Sequence, residues 1–533
     1  MERKQTKNKK RMKLELDRLS NLPSDVTEQI LSYLPIKEAV RTSILSSNWR
    51  HKWATLRRLV FDDKTAKRNS IRRERAIDHV LLLHRGPINT FKLSSEEYIH
   101  SYEFDRWILY LSGFSIKEFI LERHPSGSYS ISSCLFSYKD LNHLGLRNCS
   151  LNPPLTFKGF AMLKSLDIRN VSVAKDVLEK IIVGSPLPER MILFDLVSVG
   201  VLEVDAPNLQ LLKVVGVFEE IKLQNVPNLV NVSIGQKRID YKEVSRRNSS
   251  KLLQYFLSLP RIERLTIEGC LLEQCVVNSF PLPAELPEPL SCLNFLYISM
   301  RLNSLDDILV ATLLLKSSPA LQALEIEVRH GNKSNAEEQA TDWLNKNRLW
   351  EFTQLRRLKV TGFSCVTGEV NFLDYLFSSL PALQELEISF RDKKNLRKQK
   401  RKRVDAAAGG DSSNRKCTFN QLRIMKVTNC SGVKAEACFI RFLLSSSPML
   451  NTMILQPVSA GISWELVELM IWFNRYSAHA ELKVLKPLCP LSESYNGSYT
   501  EGRYLSTTES YSDDSSHSDD FSDSDESFDS DDD

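Results

Sequence analysis

The 533-residue sequence contains no run of about 18 apolar residues, so no membrane-spanning helix is expected. Its first residues are lysine-rich rather than apolar, so no secretory leader is expected either. No Cys-x-x-Cys pair occurs among the ten cysteines, at positions 134, 149, 270, 275, 292, 365, 417, 430, 438 and 489. Zinc needs thiolate or imidazole ligands at short, paired spacings, and Cys270 with Cys275 lacks a second pair nearby. The thiols therefore read as free and buried, with no metal site. Also missing are GxxxxGK[ST], GxSxG, HExxH and DxDxDG, and the nine histidines are scattered rather than grouped with a nucleophile. No catalytic residue and no cofactor is expected. Compositional extremes are absent as well: 42% hydrophobic and 26% charged residues exclude wholesale disorder, collagen and a disulfide scaffold.

The net charge of +5 hides an asymmetry, because residues 504–533 hold twelve acids and no Lys or Arg. Outside them stand 71 basic against 54 acidic residues, and two stretches hold most of the surplus. They are MERKQTKNKKRMK at 1–13 and RDKKNLRKQKRKR at 391–403. The remaining body is near neutral, which argues against a broad electrostatic face for duplex DNA, and few aromatics are interleaved for RNA stacking. The basic stretches read as appendages that fit nuclear-import signals, nucleic-acid contact or merely a solvated loop, and with no leader or membrane span expected the protein is expected in the nucleus, the cytoplasm or both. The Ser/Asp-rich tail is too charged and too poor in apolar residues to fold.

One template recurs: Leu-x-x-Leu-x-Leu/Ile/Val. It starts at Ile116, Leu141, Leu163, Leu209, Leu229, Ile262, Leu293, Leu321, Leu355, Leu383, Leu422 and Leu450, with a degenerate copy, PERMIL, from Pro188. Its alternating end fits a short strand with one buried face, and stacked copies would align these strands into one parallel sheet. Copies pair at a separation of 28 residues: Leu293 with Leu321, Leu355 with Leu383, Leu422 with Leu450. Before each second member lies an apolar helix-like segment closed by serine and proline: ILVATLLLKSSPAL, LDYLFSSLPAL and FIRFLLSSSPML, with KLLQYFLSLPRI before Ile262. The unit reads strand, loop, helix, turn. Variable strand positions would face the inner curve, where Arg357 and Lys359 meet Glu385 and Glu387 on the next strand; cross-strand neutralisation is the simpler account of them.

A separate block precedes the repeats, DRLSNLPSDVTEQILSYLPIKEAVRTSILSSNWRHKWATL at 17–56. Leu22-Pro23 with Ser24 and Asp25 marks a helix start; Val26, Ile30, Leu31 and Leu34 share one face; Pro35 ends it. A second helix is expected from about Lys37, with Val40, Ile44, Leu45, Trp49 and Trp53 along its stripe. About 40 residues rarely close a core unaided, so an apolar face is expected to await a partner.

This block resembles a plant-type F-box, through Leu22-Pro23, Ile30-Leu31, Leu34-Pro35, Lys37-Glu38-Ala39-Val40, Thr42, Leu45-Ser46, Trp49-Arg50 and Trp53. Residues 76–94 and 419–455 are similar to the joining segment and the FBD module of plant F-box/FBD/LRR-repeat proteins. Departures are Thr27, Ser47-Asn48, the basic insert and the tail. The fold class expected is α/β: a small helical F-box, then a curved leucine-rich repeat solenoid with a C-terminal FBD-like segment and a disordered acidic tail. The boundaries expected are a basic disordered N-terminus at 1–16, F-box at 17–57, linker and first solenoid cap at 58–104, repeats at 105–413 with the insert at 391–413, FBD-like domain at 414–490 and tail at 491–533.

The resemblance implies a non-catalytic receptor of a ubiquitin ligase. The F-box binds a Skp-type adaptor and through it a cullin, while the repeats select a protein substrate. Leu22, Pro23, Ile30, Leu31, Leu34, Pro35, Val40 and Trp49 carry over as adaptor-face or F-box-core positions. Alternatives are an interaction scaffold that engages no cullin and a nuclear nucleic-acid-associated regulator using the basic stretches.

Overall fold

Every one of the thirteen template copies is a strand, and each strand begins two residues after the template's first residue. The computed structural model describes residues 22–486 apart from 63–69, 96–97, 126–128, 197–199, 219, 238–260, 270, 273–285, 287–288, 331–335, 348–350, 392–417 and 459–479. The basic stretch at 1–13, nearly all of the insert at 391–413, the segment at 251–260, Cys270, Cys275, Cys417, Cys489 and the acidic tail lie outside the described residues.

In the F-box, α1 (Ser24–Ser32) and α2 (Ile36–Arg41) each follow a proline whose fixed φ suits a helix entrance. Buried Thr27 is satisfied, its hydroxyl donating to Pro23 O at 2.9 Å. The expected long second helix does not form. It stops at Arg41, where Thr42 Oγ1 turns back to Ala39 O, and a single 3-10 turn spans Thr42–Ile44. Ser43 Oγ then bonds Arg50 O, so short polar side chains compete for the backbone that a helix would need. Trp49 and Trp53 consequently turn into the core while Ile44 and Leu45 stay outside, splitting the expected stripe.

The solenoid strands are β1 (Arg58–Phe61), β2 (Thr90–Ser94), β3 (Glu118–Glu122), β4 (His143–Leu151), β5 (Ser165–Val173) and β6 (Arg190–Leu196). After β7 (Val201–Asp205) come β8 (Leu211–Gly216), β9 (Glu220–Gln224), β10 (Asn231–Gln236), β11 (Arg264–Gly269) and β12 (Phe295–Met300). The last are β13 (Ala323–Val328), β14 (Arg357–Phe363), β15 (Glu385–Phe390), β16 (Ile424–Cys430), β17 (Thr452–Pro457) and β18 (Glu481–Val484). All except β7 and β9 form one open sixteen-stranded parallel sheet in chain order, the inner layer of a curved repeat solenoid. The stretch expected as linker and first cap holds two full strands, β1 and β2, and the FBD-like stretch adds β16 to β18 to the same ladder.

Helices α3 (Ser70–Leu83), α4 (Ser101–Leu111), α5 (Lys175–Val183), α6 (Leu305–Lys316), α7 (Ala336–Lys346), α8 (Thr367–Phe377) and α9 (Lys434–Ser445) accompany the sheet. The three Ser-Pro-punctuated segments that fall within the described residues end α6, α8 and α9, as their apolar spacing predicts. Where β6, β8 and β10 lie only 21 and 20 residues apart there is no room for a helix, and β7 and β9 pair as a two-stranded sheet instead. In the longer repeats a buried carboxylate at the third helix residue closes the strand-to-helix loop. Asp307 accepts Arg301 N at 2.8 Å, Glu369 accepts Ser364 N at 2.7 Å, and Glu436 accepts Ser431 N at 2.8 Å and Gly432 N at 3.0 Å. All three lie fourteen residues after their template's first Leu.

Seven residues after the template start, six strands pass through left-handed backbone: Asn148, Asn170, Asp195, Gly269, Gly362 and Asn429. Those residue types tolerate that conformation. A Cβ at Gly269 would also lie 2.1 Å from Gln236 O. The joint between F-box and solenoid has no spacer. Leu56 is buried, β1 starts at Arg58, Arg85 N donates to Ala54 O at 2.8 Å, and His84 Nε2 donates to Leu56 O at 2.8 Å.

Of the six described cysteines, Cys149 and Cys430 are buried, Cys134, Cys365 and Cys438 are half-buried, and Cys292 is exposed. The expectation of uniformly buried thiols is corrected at Cys292, which sits in a turn before its strand.

Candidate functional site

The F-box presents large apolar side chains to solvent that nothing in the described chain covers. Val26, Ile30, Tyr33 and Leu34 lie at helical spacing along α1 and its end, and Ile44 and Leu45 follow α2. Ile44 is 87% exposed and Tyr33 80%. A soluble surface tolerates single exposed leucines, but a dense set within residues 26–45 marks a contact surface.

The residues expected on this face divide. Pro23, Ile30, Leu34 and Pro35 are exposed. Leu31 and Trp49 are buried, at 0% and 4%, and belong to the core that holds the helices together; Leu22 and Val40 are half-buried against that core. Spacing alone missed Tyr33, and it grouped Ile44 and Leu45 with the buried tryptophans because a continuous helix was assumed. The serine- and threonine-rich run at 42–48 was the signal against that helix.

The inner strand surface differs in kind. In register, Glu325 faces Lys359, Lys359 faces Glu387, and Arg357 faces Glu385, while Glu387 faces Lys426. Lys426 Nζ lies 3.0 Å from Glu387 and Lys359 Nζ 3.9 Å from Glu325. Cross-strand neutralisation accounts for these charges. Each such half-exposed pair contributes at most about 1 kcal/mol.

One cluster juxtaposes the residue types of hydrolytic chemistry: His330 lies 3.4 Å from Glu369 through Nδ1 and 3.5 Å from Ser364 Oγ through Nε2. The same Nε2 is 2.9 Å from the carbonyl of Gly362. A carbonyl only accepts, so Nε2 carries the proton and offers no base to the serine. Burial and Arg391 hold the His330 pKa below the ordinary imidazole value. Among the described residues no group of three or more His, Cys, Asp or Glu is placed to hold a metal ion.

Comparison with known proteins matches this arrangement twice. Residues 19–61 match the F-box domain family, and residues 80–418 match the leucine-rich repeat domain described for At1g61320/AtMIF1. Fold and face thus define the class, an F-box joined to a leucine-rich repeat solenoid. The F-box/FBD/LRR-repeat protein At1g13570 of Arabidopsis thaliana is 33% identical over 382 residues, spanning 70% of this chain and 91% of that protein. The F-box/FBD/LRR-repeat protein At1g51370 of the same plant is 26% identical over 419 residues, spanning 73% and 92%. The chain belongs to the plant F-box/FBD/LRR-repeat family.

Proposed function

We propose that this chain is the substrate-recognition subunit of a Skp–cullin–F-box ubiquitin ligase. Its F-box docks to a Skp-type adaptor and the repeats hold the protein to be modified. The observation that carries this reading is the uncovered apolar set Val26, Ile30, Tyr33, Leu34, Ile44 and Leu45. Burying such a set against partner helices is the physics of helix-in-groove recognition. The ubiquitin-transfer chemistry then belongs to other subunits. In this reading residues 414–490 act as the FBD-like end of the solenoid, and the basic insert directs import to the nucleus.

Binding of the full chain to a purified Skp-type adaptor, measured by calorimetry, tests it. The expected result is low-micromolar or tighter affinity, about −8 kcal/mol or better, that collapses in Ile30→Asp/Ile44→Asp. No binding by the wild-type chain overturns the ligase reading in favour of a scaffold that engages no cullin.

A further inference from the structure

Arg123 follows β3 at the seventh residue after its template start, the place filled by left-handed Asn, Asp or Gly in six repeats and by apolar Met300, Val328 and Phe390 in three others. The repeat therefore needs no charge there. Yet Arg123 is only 5% exposed, with its guanidinium against two neighbouring rings, 5.1 Å from the centre of Phe104 on α4 and 4.8 Å from that of Tyr129. Of its five N–H donors one is used within the described chain, Nη1 to Asn148 O at 3.1 Å, and Nε is buried with no partner.

No carboxylate answers this charge among the described residues. The groups that act on it are Cys149, Tyr129 and Tyr98. Burial pushes the Cys149 thiol up to about 12 and raises the Tyr129 phenol as well, so neither answers the charge at ordinary pH, and Tyr98 is an exposed phenol. Asp105 is engaged by Tyr129, whose hydroxyl donates to Oδ1 at 2.7 Å. Glu122, the preceding residue, lies on the opposite, inner-curve side of the strand. Burying a cation with no counter-ion is costly, and aromatic faces return only part of that cost.

The surroundings are built rather than incidental. Asn148 stands in left-handed backbone, donates through Nδ2 to Arg123 O and accepts Asn170 Nδ2 at 2.6 Å. Tyr98 meets His100 edge-to-face and His100 stacks on Tyr102, with ring centres 5.4 and 5.3 Å apart, and all three are exposed. Arg147, one strand on, is exposed and makes no ion pair among the described residues. This corner sits at the C-terminal ends of the parallel strands β3 and β4.

We propose that this corner is an oxyanion-binding site, with Arg123 as the group that receives a phosphate or carboxylate in its guanidinium fork. The fork geometry suits two oxygens of one anion, a task for which lysine is no substitute. The inference does not depend on adaptor docking. The anion is either free or carried on a side chain of the protein held by the repeats.

Thermal unfolding and calorimetry of the full chain in phosphate-free buffer, then with inorganic phosphate against chloride at matched ionic strength, test the site. Phosphate should raise the melting temperature of the wild type and leave Arg123→Met unmoved, with phosphate affinity at least tenfold weaker in that variant. Without phosphate, Arg123→Met should melt no lower than the wild type, because a methionine packed on the two rings removes an unanswered charge. Arg123→Lys should fold but bind phosphate more weakly than the wild type. A phosphoserine peptide that binds more tightly than inorganic phosphate, and loses that binding in Arg123→Met, identifies a protein-borne anion; equal binding identifies a free one. If phosphate leaves the wild type unmoved and Arg123→Met melts well below it, the guanidinium is a packing element and the proposal fails. It fails equally if phosphate neither shifts the melting temperature of the wild type nor gives any binding heat with it.

Discussion

The F-box and the solenoid treat the same residue types in opposite ways. In the solenoid the leucines and isoleucines of the strand template are almost all buried, and the polar positions between them pair with their neighbours across the sheet. In the F-box, Ile30, Leu34, Ile44 and Leu45 remain in water although the core of Leu31, Ile36, Trp49 and Trp53 is complete without them. One region satisfies its own surface and the other leaves it open. A repeat closes on the next repeat, whereas the F-box, with two short α-helices among its described residues, leaves one face uncovered.

Breaking the solenoid side should have the largest effect. Leu386→Ala removes a fully buried template leucine between two strands and should cost about 2–5 kcal/mol, read as a lowered urea midpoint. Next comes Glu436→Ala, which leaves the N–H groups of Ser431 and Gly432 without their acceptor; a loss of about 1–3 kcal/mol is expected in the same titration. Neither change should alter adaptor affinity per folded molecule.

The F-box face should respond in the reverse sense. Tyr33→Ala and Ile44→Ala should each change stability by less than about 0.5 kcal/mol, since both side chains are already in water. The same variants should weaken adaptor binding about tenfold or more, or about 1.4 kcal/mol, by calorimetry. A large loss of stability in either would mean that the face is packed, and the contrast between the regions would disappear. On the inner strand surface, Lys426→Ala should cost less than about 1 kcal/mol, because its partner Glu387 stays partly hydrated.

The joint between the regions has its own pH signature. Burial holds the His84 pKa below the ordinary imidazole value, so the folded state binds its proton less readily than the unfolded chain. Its contribution is therefore complete above about pH 6.5 and is lost as pH falls from there toward the folded-state value. His84→Gln should flatten this part of the stability profile, measured by thermal unfolding across the acidic range. An unchanged slope would remove His84 as its source.

The ladder was readable because the apolar template is local and rigidly spaced; thirteen strands followed from it. Two more carry the same spacing, Leu56, Leu59 and Phe61 for β1 and Ile88, Phe91 and Leu93 for β2, and were hidden by their closeness to the F-box block. The strand β18 has His479 where the template wants an apolar residue, and β7 and β9 lie in the 21- and 20-residue intervals from β6 to β8 and from β8 to β10, which leave no room for a helix. On the candidate face, helical spacing identified Ile30 and Leu34 but could not separate Leu31 from them, since burial depends on which side of α1 the tryptophans pack. Arg123 gave no sequence signal at all, because only the fold sets two rings against it.

The spacerless joint has a mechanical consequence. With Leu56 in the core and β1 starting at Arg58, whatever grips the F-box also fixes the orientation of the first strand, and each later strand inherits that orientation from its neighbour. Sixteen strands at about 4.8 Å each span roughly 70 Å of inner contour, so the chain works as a ruler rather than a tether. Under the ligase reading proposed above, a protein gripped near β4 and one gripped near β16 would be offered at different, reproducible distances from the anchored end, and the repeat on which it sits would set which of its lysines falls within reach.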